Sequence, residues 1–147
     1  MVTASEPRLR LLDTSVIVRY LTNDIPEQAE RARALIESTS PIGLTTIAVL
    51  ETAYALRRDP YRLPRDTVVD VLIRLAQRRN VRGVGVDKTH LAGVLARCKG
   101  SNVVSIGDAL LTATAWSAGI GEIYTFDAQF HRAGLHPADL PDGTLAC

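Results

Sequence analysis

Residues 9–21 read LRLLDTSVIVRYL. A short, largely apolar run, 9–12, halts at Asp13, and the apolar positions then return at helical rather than alternating spacing. A buried strand that stops at an acid and gives way to a helix is the opening of a strand–helix unit. The same pattern recurs along the chain. Residues 42–44 give a second short strand, followed by Thr45 and Thr46 as caps for a helix carrying Ile47, Leu50, Glu51 and Tyr54. Residues 81–86 read as a third strand with Asp87 as the next cap, and residues 123–126 as a fourth that ends at Asp127.

Helices fill the intervals. Asn23 and Asp24 break the first one, and Pro26 starts the second at its favoured first position, with Ala29, Ala32, Leu35 and Ile36 on one face. Val68, Val69, Leu72, Leu75 and Ala76 form a clear amphipathic stripe, Leu91, Val94 and Leu95 another. Asp108 opens a helix through Trp116 that Ala118 and Gly119 stop. Strands alternating with helices predict an α/β fold, a three-layer α/β/α sandwich around a central parallel sheet of four to five strands. At 147 residues and 46% apolar composition, one domain spanning 1–147 is expected.

No apolar stretch approaches the roughly 20 residues a membrane helix needs, and the N-terminus lacks a secretory pattern, so a soluble cytoplasmic protein is expected. Cys98 and Cys147 lie far apart without CxxC spacing, which suits a reducing compartment.

In parallel α/β sheets, ligands collect beyond the carboxyl ends of the strands. Asp13 and Asp127 end strands, Asp108 starts a helix, and Glu51 lies within two turns of one, so these four acids can meet at one rim. Each taken alone has an ordinary role as a cap, a turn residue or an exposed helical charge. Glu51 is the hardest to explain that way, because Ile47, Leu50, Tyr54 and Ala55 read as the buried positions of its helix. Two carboxylates about 5 Å apart repel by roughly 3 kcal/mol at an effective dielectric near 20, so a cluster requires a cation. With two lysines in the chain and no Cys/His set, oxygen ligands point to Mg²⁺ or Mn²⁺ rather than zinc. Such ions activate water and steady the charge on a phosphodiester. Without one, at least one of the four acids is expected to hold its proton more tightly than usual.

The segments LLDTSVIVRYL (11–21), TTIAVLETAYALRR (45–58), IGDALLTATA (106–115) and TFDAQF (125–130), in that order and spacing, resemble the PIN domain, and within it the VapC ribonuclease toxins of toxin–antitoxin pairs. The resemblance implies a metal-dependent endoribonuclease with Asp13 and Asp108 as principal ligands of Mg²⁺ or Mn²⁺ and Glu51 and Asp127 completing the site. Ser15 and Thr125 match positions that support such a site. It also implies an RNA substrate, a small cognate antitoxin, and a homodimer that can join a larger heteromer with it. Gly107 departs mildly from the family pattern, standing where alanine or another small residue is usual.

Net charge is only +1, but between Arg57 and Arg82 eight arginines face three acids, a surplus of five. Arg57, Arg58, Arg78 and Arg79 are therefore candidates for RNA phosphates, a solvated helical face being the plainer explanation. A noncatalytic PIN-like module that binds RNA or protein is the alternative function. An aspartyl-nucleophile phosphatase is disfavoured, because Ser15 stands where such enzymes need a second acid. Dinucleotide binding through Gly83 and Gly85 is weaker still, since Lys88 occupies the third glycine position. His90, His131 and His136 have no spacing that suits catalysis, and Trp116 reads as core or interface.

Overall fold

The computed structural model describes residues 8–141; Cys147 and the first seven residues lie outside that range. In chain order the elements are β1 (Arg10–Leu11), α1 (Thr14–Thr22), α2 (Pro26–Ile36), β2 (Ile42–Leu44), α3 (Thr46–Arg57), α4 (Arg65–Ala76), β3 (Val81–Gly83), α5 (Lys88–Ala96), α6 (Ile106–Ser117), β4 (Glu122–Ile123), the 3₁₀ turn Phe130–Ala133, and β5 (His136–Pro137).

Local chemistry explains the helix boundaries. Asp13, Thr45, Asp87 and Ser105 each cap the helix that follows by accepting backbone N–H bonds at its first turn. Asn23 closes α1 in the left-handed region at φ 55°, its N–H returning to the Arg19 carbonyl, and Pro26 opens α2.

β1, β2 and β3 form a parallel sheet in that order, with Leu11 opposite Gly43 and Ile42 opposite Val81. Alternate residues of a strand face opposite sides, and Ile42, Gly43 and Leu44 are all buried, so helices cover both faces of the central strand. This is the α/β layering the sequence predicts. One apolar cluster runs through it, built from residues such as Ile17, Leu44, Leu56, Leu72, Leu91, Ala113 and Leu135.

The sheet is smaller than expected. It has three strands among the described residues, and β4 pairs with β5 as a separate parallel ribbon instead of adding to the edge at β1. β5 escapes sequence detection because a His-Pro dipeptide carries no strand signal, and Pro137 is tolerated in a two-stranded ribbon where one edge needs no donor. With its outer edge unpaired, β1 is not the buried strand predicted: Leu11 is 63% exposed, and Leu12 just beyond it is the residue that enters the core.

The third strand stops at Gly83 rather than at residue 86. The chain folds back there so tightly that a β-carbon on Gly83 would lie 2.0 Å from the Val86 carbonyl oxygen. That close approach accounts for the glycine without any phosphate to cradle.

Candidate active site

The carboxyl ends of β1 and β2 share one edge of the sheet, and Asp13 leaves it as the cap of α1. Its Oδ2 accepts the Ser15 hydroxyl at 2.6 Å and the Ser15 N–H at 3.4 Å. The Ser15 hydroxyl, then its backbone N–H, hold the exposed Asp13 carboxyl below the usual carboxylate value. Next along the chain, the Thr14 hydroxyl donates to Glu51 Oε2 at 2.9 Å, tying the first turn of α1 to the middle of α3. Thr14, the residue after Asp13, thus ties the start of α1 to Glu51.

Glu51 reaches this place for a different reason from the one its sequence suggests. The buried face of α3 is Ala48, Val49, Thr52, Ala53 and Leu56, while Ile47 and Tyr54 are 69% and 57% exposed. Glu51 lies on the open face with them. The helix has apolar residues on both sides, and the stripe through Ile47 and Tyr54 is the one left uncovered.

Asp108 sits half-buried in the first turn of α6, its N–H donating to the Ser105 hydroxyl at 3.0 Å, and α6 packs against α3. The loop delivering it is clamped from α4: Arg65 donates to the carbonyls of Cys98, Ser101 and Val104, and the Asp66 carboxylate accepts the Gly100 N–H at 3.1 Å. Asp127 is exposed beyond β4, its N–H on the Thr125 hydroxyl at 3.0 Å and its Oδ1 accepting the Gln129 N–H at 2.9 Å. Because β4 is not paired with β1, nothing in the sheet carries Asp127 to the Asp13 edge. Among the described residues no three acidic, His or Cys side chains are grouped closely enough to hold an ion.

The donor chemistry nonetheless fits a hard cation. Carboxylates and the hydroxyls of Thr14 and Ser15 are oxygen ligands, and Asp13 is kept ionised, as a ligand must be. The only buried side-chain oxygens without a hydrogen-bond partner among the described residues are the hydroxyls of Thr52 and Thr112. They lie on the buried faces of α3 and α6, turned into the core.

The arginines divide. Arg57 and Arg58 are exposed at the end of α3 without a side-chain partner among the described residues. Arg78 donates to the Ile36 carbonyl at 3.0 Å, just ahead of β2, and Arg79 follows it ahead of β3. In a parallel sheet that is the amino edge, opposite Asp13. Arg62 pairs with Asp59, and Arg65 serves the α6 loop.

Trp116 is half-buried against the core, with His90 edge-on at 5.8 Å and the Arg97 guanidinium 5.3 Å from its ring centre. His131 and His136 are exposed in the C-terminal segment. Sequence reasoning missed Thr14 and Arg65. Thr14 was signalled only by being a hydroxyl residue directly after the strand-ending acid. Arg65 was absorbed into a basic run whose members look alike until their acceptors are known.

The family model described as PIN domain matches residues 10–135. No curated protein and no solved structure gives a significant match to the chain.

Proposed function

The chain belongs to the PIN domain family, and on that basis we propose that it is a Mg²⁺- or Mn²⁺-dependent endoribonuclease and the toxin of a toxin–antitoxin pair. PIN domains are in general nucleases that use divalent metals and bind nucleic acid. The observation that carries the reading is the Thr14–Glu51 bond beside Asp13 at the carboxyl edge of a parallel sheet.

Asp13, Glu51, Asp108 and Asp127 are the residues that would hold the ion. When bound, it supplies an activated water and charge neutralisation at the scissile phosphodiester. Ser15 keeps Asp13 deprotonated, Thr14 orients Glu51, and the α4 clamp on residues 98–104 sets where Asp108 stands. Exposed Ile47, Tyr54 and Leu111 offer apolar surface to a second copy or to a small antitoxin.

The second reading, a noncatalytic RNA- or protein-binding module, is favoured by the separation of the acids. Purified protein incubated with tRNA, rRNA and mRNA separates the two. The nuclease reading expects cleavage in Mg²⁺ or Mn²⁺ that stops in EDTA, and loss of at least about 100-fold in rate in Asp13→Asn and Asp108→Asn, the scale of one lost group that stabilises transition-state charge. Full cutting by either folded variant, or no cutting of any RNA, would sink it. Growth arrest on expression, relieved by the product of an adjacent gene, tests the toxin role.

A further inference from the structure

At the amino edge of the sheet, away from the four acids, lies a depression of about 500 Å³ whose wall includes Arg78, Arg79, Arg82, Ser38 and Thr39, with no acid among its lining residues. Its floor is firmly built. Buried Asn80 donates to the carbonyls of Ile36 and Ser40, each at 3.0 Å, and Arg78 Nε shares the Ile36 carbonyl. Neighbouring Glu37 accepts the Tyr20 hydroxyl at 3.3 Å, outside the depression.

The cations on the wall keep most of their donors. Arg82 spends one N–H on the Arg79 carbonyl, Arg78 spends its Nε, and Arg79 makes no side-chain bond among the described residues. A guanidinium has five donors in a fork that matches phosphate oxygens, so free donors remain on all three. No carboxylate lines the depression, so its wall is locally positive. The Ser38 hydroxyl donates its one proton to the Leu35 carbonyl at 2.6 Å, so the arginines carry the wall's free donors.

We propose that this depression is a second RNA-binding site that grips the phosphate backbone at the edge opposite the acids. It rests on the nuclease reading only in taking RNA as the polyanion. β2, three residues long, separates the edges by about 10 Å at 3.3 Å per residue, before the loops at either end are counted. A single nucleotide therefore reaches one edge at most, and a longer or folded RNA engages both. The site favours extended substrates over fragments and reads charge and shape rather than base identity.

The test is binding of a folded RNA of tRNA length, followed by fluorescence anisotropy over a salt series in EDTA, so that hydrolysis plays no part. Arg79→Glu with Arg82→Glu changes two exposed side chains, and a thermal melt confirms that the fold survives. Two lost phosphate contacts are expected to weaken binding and flatten the plot of log affinity against log salt by roughly 1.4 units, at about 0.7 per single-strand contact. The matching double lysine variant restores most of the slope. An unchanged slope in the glutamate variant overturns the inference, whatever the cleavage assays give. Tight, salt-dependent binding by wild type that never cuts in Mg²⁺ would instead remove the nuclease reading and leave this one standing.

Discussion

Asp13 caps a helix and, on the proposed function, would also hold a cation, a use that needs its charge. Its folded pKa lies below the ordinary value, chiefly because the Ser15 hydroxyl bonds the charged form. A carboxyl with a depressed folded pKa contributes stability above its unfolded value and loses it as pH falls through the folded one. Carbon-detected titration of the metal-free protein should therefore place Asp13 below a typical aspartate, and Ser15→Ala should move it upward; an unmoved midpoint contradicts the assignment. Gly107 offers a second residue-scale test. A β-carbon there meets nothing nearer than the Ser105 hydroxyl at 4.0 Å, so the helix has room for alanine. Gly107→Ala should stabilise the protein by about 0.5–1 kcal/mol through reduced unfolded-chain entropy, and a lowered melting temperature would show that the turn needs glycine.

The helices show where sequence reading works and where it fails. α4 was legible because Val68, Val69, Leu72, Leu75 and Ala76 make one stripe, and those same residues are buried. α3 was not, because Ile47, Leu50 and Tyr54 compete with Ala48, Val49, Ala53 and Leu56 for the core face, and periodicity fits both. Small residues won because a crowded interior between α1, α4 and α6 takes alanine and valine close to the backbone. Denaturant melts check this directly. Leu56→Ala should cost about 2–5 kcal/mol, as buried leucines do, while Ile47→Ala should stay within about 0.5 kcal/mol, as exposed positions do. Equal losses at both would restore the stripe read from the sequence.

At the scale of the whole molecule, the parallel β1–β2–β3 core and the helix order followed from local signals, whereas the placement of the last strands did not. Strand pairing is a long-range choice that two- and three-residue strands specify weakly. That choice bears on the site, because Asp127 rides on the segment after β4. Thr14 ties the first turn of α1 to Glu51 and α6 lies against α3, while Asp127 follows β4 on its own loop.

If Asp13, Glu51, Asp108 and Asp127 act on one ion, as proposed, that ion should stabilise the fold. Metal that binds only the folded arrangement, at about 100 times its dissociation constant, adds roughly 2.7 kcal/mol. Thermal melts in EDTA and in excess Mg²⁺ should show that gain for wild type at neutral pH, shrinking in mild acid as protons compete for the same oxygens. Asp13→Asn, Glu51→Gln, Asp108→Asn and Asp127→Asn should each lose most of the Mg²⁺ gain. Equal Mg²⁺ stabilisation of wild type and all four variants would contradict a shared site.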